Sequence, residues 1–181
     1  MIKIIDNFFK DEDLRKVQDF ALTKAFYTPR FFNDEKPRSK ENHYGNRFAL
    51  DNDKDLLEFF KKQSETKFNL EISKIHSDSG LDQRNLDHFK PHIDPVAKIN
   101  ILIMIYGPTA VSNGTVFYTN SSNNPTEEVD VVNYELDIHV GFRPNRAVLF
   151  PSNRVHSQHA SITPNLMRYT STLFVEEYKQ L

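Results

Sequence analysis

The chain has 181 residues, of which 38% are hydrophobic and 27% charged, with a formal net charge of −2 and no cysteine. That length suits a single hydrophobic core, so one domain over residues 1–181 is expected, and the composition excludes collagenous, disordered and membrane-embedded classes. The near-neutral charge offers no broad basic field to neutralise phosphates, which argues against a nucleic-acid partner, and without thiolates any metal must be held by imidazole and carboxylate.

In chain order, a short strand is expected over residues 1–5 and then a helix over 11–24. Asp11, Glu12 and Asp13 stand at its positive end, with Leu14, Val17 and Ala21 at helical spacing. The opening Ile4-Ile5 pair is broken by Asp6, far short of a signal-peptide core, and no window nears the roughly 20 apolar residues of a membrane span. A cytoplasmic chain with no membrane partner is expected. Residues 25–52 are polar, studded with aromatics and broken by Pro29 and Pro37, which reads as mostly loop. A second helix over 53–62 completes a helical support region, residues 1–70.

From residue 71 the texture changes to short apolar or alternating runs ended by Gly, Pro or Asn. Strands are expected over 71–76, 86–90, 98–106, 115–119, 135–140, 147–150, 155–161 and 167–176, with a polar loop over 120–130. Short strands without intervening helices predict a mainly β fold, an antiparallel jelly roll over 71–181 with the N-terminal helices packed outside one sheet.

Two His-x-Asp triplets occur, His76-Ser77-Asp78 and His92-Ile93-Asp94. Residues i and i+2 of a strand share a face, so such a pair can supply two neighbouring corners of an octahedral metal site. The second triplet is the better candidate. It lies between Pro91 and Pro95 and leads into the apolar run Ile99 to Ile105, whereas the first runs into Ser79-Gly80 and reads as a strand ending in an exposed turn. A third ligand must come from downstream, and both His156 and His159 are available. His156 follows the apolar run Ala147 to Phe150 and a Pro151-Ser152-Asn153 turn. Further on, alternation places Arg168, Thr170 and Thr172 on one strand face, a polar stripe that is costly in a core unless it meets a ligand. The planar guanidinium of Arg168 suits a carboxylate.

Taken in order, these motifs resemble the prolyl 4-hydroxylase-like branch of the Fe(II)/2-oxoglutarate-dependent oxygenases, over most of the chain. Ile4-Ile5-Asp6-Asn7-Phe8-Phe9 is similar to the family's opening, Pro91-His92-Ile93-Asp94-Pro95 to its first metal motif, and Asn113-Gly114-Thr115-Val116-Phe117-Tyr118 to its Gly-Thr-x-Phe turn and strand. Phe150-Pro151-Ser152 before His156, then Arg168 and Thr170, complete the pattern. The resemblance implies a double-stranded β-helix of the cupin-like kind, with His92, Asp94 and His156 as metal ligands. It implies Arg168 on the far carboxylate of 2-oxoglutarate, assisted by Thr170, and Asn100 is a candidate for the pocket wall. The implied reaction consumes O2 and 2-oxoglutarate, with ascorbate as a further candidate cofactor, and releases succinate and CO2. Because Asp94 fills the corner that related halogenases leave for halide, hydroxylation is the expected outcome, on a peptidyl (prolyl among them) or small-molecule substrate. Two departures stand. Some relatives place the last histidine nine residues before the basic residue, which would select His159, and the co-substrate tyrosine maps onto no position here. The rival readings are a cupin-like metal enzyme that uses no keto-acid, and a non-catalytic jelly-roll binding module.

Overall fold

Alternation and capping account for most of the local structure in the computed structural model, which describes residues 1–31, 43–85, 91–120, 134–159 and 167–181. Strand β1 (Lys3–Asp6) leads to helix α1 (Asp11–Asp19), which closes in a wider turn over Phe20–Lys24. There Thr23 donates its hydroxyl back to the Asp19 carbonyl (2.7 Å). Strands β2 (Thr28–Phe31) and β3 (His43–Ala49) precede helix α2 (Lys54–Phe68). Asp53 caps α2 by accepting from the Leu56 amide (3.0 Å), and Asn69 ends it in the left-handed conformation at φ 56°. The helix outruns the expected 53–62 because Ser64 and Phe68 are also buried, extending its packed face. Strands β4 (Leu70–Ile75), β5 (Gly80–Asn85), β6 (Ile99–Tyr106), β7 (Ala110–Asn120), β8 (Tyr134–Phe142), β9 (Arg146–Pro151), β10 (His156–His159) and β11 (Met167–Gln180) follow.

These strands form two antiparallel sheets. The larger runs β1-β9-β6-β11-β5-β3-β2, with β4 pairing the C-terminal half of β11, and the smaller runs β10-β7-β8. Central strand β6 is covered on both sides, which is why its sequence reads as a nearly unbroken apolar run. Ile99, Ile101, Ile103 and Ile105 point outward to pack with α1 and α2 around Phe8, Phe60 and Phe68. Met104 points inward, joining Val148, Phe150, Phe117, Val140 and Phe142 between the sheets. The architecture is the expected double-stranded β-helix with helices against one sheet. Among the described residues no helix is long and apolar enough to cross a membrane.

Two further expectations are revised. The stretch read as loop over 25–52 contains β2 and β3, so the support region also lengthens the larger sheet. Its polarity hid the strands, since Arg47 of β3 turns inward to an ion pair and Pro29 is tolerated because β2 is an edge strand. Ser79-Gly80 is not an exposed turn: Ser79 is buried and Gly80 begins β5. Only glycine fits there, because a Cβ would lie 2.6 Å from Arg47 Cγ and 2.8 Å from the Phe48 carbonyl oxygen. The strand expected over 86–90 and the loop body 121–130 lie outside the described residues.

Candidate active site

Backbone pairing brings the second His-x-Asp triplet to the end of the smaller sheet. His92 and His156 exchange both main-chain hydrogen bonds (2.9 and 3.0 Å), and the Asp94 amide donates to the Ser152 carbonyl (2.9 Å). Ser152 is itself fixed, its amide on the Lys98 carbonyl (3.1 Å) and its hydroxyl on that of Ala97. The Phe-Pro-Ser approach therefore acts through its backbone, tying the turn before His156 to the triplet.

The result is a compact donor set. His92 Nε2 lies 3.6 Å from Asp94 Oδ1, His156 Nε2 lies 3.3 Å from Asp94 Oδ2, and ligand atoms of all three residues lie within 4.8 Å of one another. Two ligands about 2.1 Å from one ion, at the right angle of an octahedral face, sit about 3 Å apart, so this set fits a divalent metal with little adjustment. The His156 ring packs edge-on to Phe150, with centroids 4.8 Å apart. Its Nδ1 lies 2.9 Å from the Arg154 carbonyl, which selects the tautomer that donates there and turns the Nε2 lone pair toward Asp94. Burial pushes the Asp94 carboxyl up, but the hydrogen bond and charge from His156, the charge of His92 and the Asn100 hydrogen bond overcome it and hold the pKa at about 2. Asp94 is thus an ionised acceptor at neutral pH.

Asn100 is fully buried on β6 and donates its Nδ2 to Asp94 Oδ2 (2.5 Å). It touches the donor set through the Asp94 carboxylate. His159 falls on the other face of β10, exposed, its ring 5.0 Å from that of His139. In the other triplet the Asp78 amide donates to His76 Nδ1 (3.1 Å) while the Asp78 carboxylate pairs with Arg30 (3.3 Å), and no third ligand joins them among the described residues.

The polar stripe on β11 faces the interior, as alternation requires: Arg168, Thr170 and Thr172 are all buried. Arg168 Nη1 donates to the Gly114 carbonyl (2.9 Å) and to Asn113 Oδ1 (3.3 Å), and its Nε has no partner among the described residues. Burial and the nearby charge of Arg84 push its pKa down to about 9, against attraction from Asp82. This is a cationic donor held out of water, with hydrogen-bonding capacity to spare. The Asn-Gly-Thr motif supplies its seat, and glycine is required because a Cβ on Gly114 would lie 2.1 Å from the Val140 carbonyl oxygen. Gly114 lies three residues along β7 from Phe117, the register partner of His156. At about 3.3 Å per residue, roughly 10 Å of strand separates Gly114, the seat of Arg168, from the register partner of His156.

Arg47, Asp82 and Arg84 escaped the sequence reading. Arg47 grips Asp82 with both forks (Nε to Oδ1 2.7 Å, Nη2 to Oδ2 3.0 Å) and donates Nη1 to the Asp78 carbonyl (2.6 Å). Thr172 adds its hydroxyl to Asp82 Oδ2 (3.3 Å), and Arg84 Nη2 stands 3.4 Å from the same oxygen. Asp82 and Arg84 occupy alternate positions of β5, a pattern that by itself reads as a solvated edge.

No protein-family model matches the sequence, and no curated protein matches it. Solved structures do. The non-haem α-ketoglutarate-dependent epimerase SnoN from nogalamycin biosynthesis matches at TM-score 0.68 and 11% identity, over 97% of this chain and 78% of that one. A prolyl hydroxylase from Trichoplax adhaerens, in complex with a peptide fragment of the hypoxia-inducible factor oxygen degradation domain, matches at TM-score 0.63 and 14% identity, over 97% and 83%. HygX from Streptomyces hygroscopicus, with nickel and 2-oxoglutarate bound, matches at TM-score 0.62 and 10% identity, over 97% and 82%. At such identities the likeness is one of fold, and the chain has the double-stranded β-helix of non-haem, 2-oxoglutarate-dependent enzymes.

Proposed function

We propose that the chain is an Fe(II)- and 2-oxoglutarate-dependent dioxygenase that hydroxylates a peptidyl or small-molecule substrate. The observation that carries this reading is the convergence of His92, Asp94 and His156 opposite the buried, under-bonded guanidinium of Arg168. A metal site alone would suit many cupin-like enzymes. A buried cation with bonding capacity to spare is not called for by a metal enzyme without a keto-acid, and neither feature is needed by a binding module.

In this reading the imidazoles of His92 and His156 and the carboxylate of Asp94 would hold iron. Iron with 2-oxoglutarate would supply the oxidising chemistry, O2 being consumed as the keto-acid loses CO2 and becomes succinate. The chain's residues position and shield. Asn100 fixes the Asp94 carboxylate by its hydrogen bond, and Arg154, through its carbonyl, fixes the His156 ring. Arg168 holds the far carboxylate with Thr170 beside it, and Phe117 and Phe150, packed on His156, keep water from that side. The peptidyl option draws on the prolyl hydroxylase match and the small-molecule option on HygX and SnoN.

The test is aerobic incubation with Fe(II) and 2-oxoglutarate, following succinate, together with the mass of any co-incubated substrate. Succinate formation that disappears in Arg168→Met, with one oxygen atom gained by substrate, is expected. Folded protein that forms no succinate would sink the reading. Since SnoN is an epimerase, a product of unchanged composition formed with succinate would remove hydroxylation and keep the cofactor assignment.

A further inference from the structure

The buried guanidinium of Arg168 does not stand alone on its sheet face. Strands β5 and β11 pair so that Arg84 lies directly opposite Arg168, and Asp82 opposite Thr170. Both arginines border the interior carboxylate Asp82, Arg84 through its 3.4 Å ion pair and Arg168 through its electrostatic influence. Like charges directly opposite in an antiparallel pair repel, and burial strengthens the repulsion. It is felt here, since the charge of Arg84 is among the causes that push the Arg168 pKa down. Asp82 offsets this only in part, because both of its oxygens are already taken bidentately by Arg47.

Glycine flanks the pair on both sides. A Cβ on Gly45 would lie 3.0 Å from Arg84 Cγ, and a Cβ on Gly107 would lie 3.1 Å from Arg168 Cβ and from the Phe142 ring. Both glycines have positive φ (146° and 150°), which side-chain-bearing residues rarely adopt. The two arginine stems are therefore seated in glycine hollows beside one another. Like charges held side by side repel, and an anion reaching both guanidinium groups relieves the repulsion.

We propose that Arg84 and Arg168 form a two-guanidinium clamp on one carboxylate, the distal carboxylate of the keto-acid. Arg168 supplies the inner fork, held by Gly114 and Asn113, and Arg84 the outer one, braced by the Arg47–Asp82 pair. The clamp makes Arg84 a residue that sets co-substrate specificity, selecting keto-diacids over keto-acids that end in an uncharged group. This inference rests on the proposed use of 2-oxoglutarate.

The test compares 2-oxoglutarate with 2-oxopentanoate, which has the same carbon chain with a methyl group in place of the distal carboxylate. Dissociation constants for both are measured anaerobically on the Fe(II)-loaded protein, for wild type, Arg84→Met and Arg168→Met. The ratio of the two constants is read within each protein, so it is independent of how much of each sample is active. Wild type is expected to prefer 2-oxoglutarate strongly, and Arg84→Met to lose roughly 10-fold or more of that preference, the scale of a charge-assisted hydrogen bond. An unchanged ratio in Arg84→Met beside a collapsed ratio in Arg168→Met would overturn the clamp and leave Arg168 as the sole anchor, with the proposed function intact. If neither keto-acid binds wild type, the proposed function fails and the clamp with it. Should Arg84→Met not fold, Arg84→Lys carries the test: it keeps the charge and loses the planar fork, and a several-fold drop in the ratio supports the clamp while none overturns it.

Discussion

His76-Ser77-Asp78 and His92-Ile93-Asp94 place the same side chains at the same spacing, yet they come to different ends. In the first, the Asp78 amide turns back to His76 Nδ1, and the turn is held by Arg30 on the Asp78 carboxylate and Arg47 on its carbonyl. In the second, the amides of His92 and Asp94 are given to a distant stretch of chain, the carbonyls of His156 and Ser152. That pairing brings in a third donor, His156, and sets Asp94 against Asn100. A triplet becomes a candidate metal site by what its backbone pairs with; its own letters decide only that it can.

The largest expected effect separates the two carboxylates. Asp94→Ala should weaken Fe(II) binding by more than about 100-fold, beyond what loss of a supporting residue costs, whereas Asp78→Ala should leave the affinity within about twofold, both read by anaerobic metal titration. Equal losses would erase the distinction.

Next comes the ion pair that joins the first triplet's turn to the barrel interior. Asp82→Asn leaves buried Arg47 and partly buried Arg84 without this carboxylate and should cost about 3–5 kcal/mol in denaturant unfolding. The same group has a pH signature. Burial raises the Asp82 pKa, but the charges of Arg47 and Arg84 and the hydrogen bonds from Arg47 and Thr172 outweigh it, so the folded pKa lies below the ordinary value. Its contribution is therefore complete above the unfolded carboxyl pKa of about 3.9 and is lost as pH falls through the lower folded value. Acid unfolding should be less steep in Asp82→Asn than in wild type over that window, and identical slopes would contradict the assignment.

The smallest effects compare the residues that support each triplet. Asn100→Ala should weaken metal binding about 10-fold by freeing the Asp94 carboxylate. His76→Ala should leave metal binding unchanged and cost about 1 kcal/mol of stability, the net value of one hydrogen bond.

Much of this was legible in the sequence because it depends on local period. The apolar run of β6 and the Arg168-Thr170-Thr172 stripe follow from alternation, and both faces are used as alternation requires. The antiparallel β architecture follows from the same signal. Spacing to Arg168 favoured His159 while the Phe-Pro-Ser approach favoured His156, and period alone could not rank them. Three residues apart on a strand, they face opposite sides, and only the register of His156 with Phe117 and His92 shows which side looks inward. Strands β2 and β3 were hidden for a related reason: the inward Arg47 of β3 has its partner in β5, β2 pairs in turn with β3, and without the pairing both read as loop. Arg84 was hidden most completely, since its significance is its cross-strand position opposite Arg168, a relation between residues far apart in the chain.

If His92, Asp94 and His156 hold iron with a keto-acid in place, as proposed, the visible charge-transfer band of the iron-bound keto-acid reports it most directly. Fe(II) and 2-oxoglutarate are added anaerobically to wild type, His156→Ala and His159→Ala. The account predicts the band in wild type and in His159→Ala and none in His156→Ala. Folded wild-type protein without the band, or a band kept by His156→Ala and lost by His159→Ala, would contradict it.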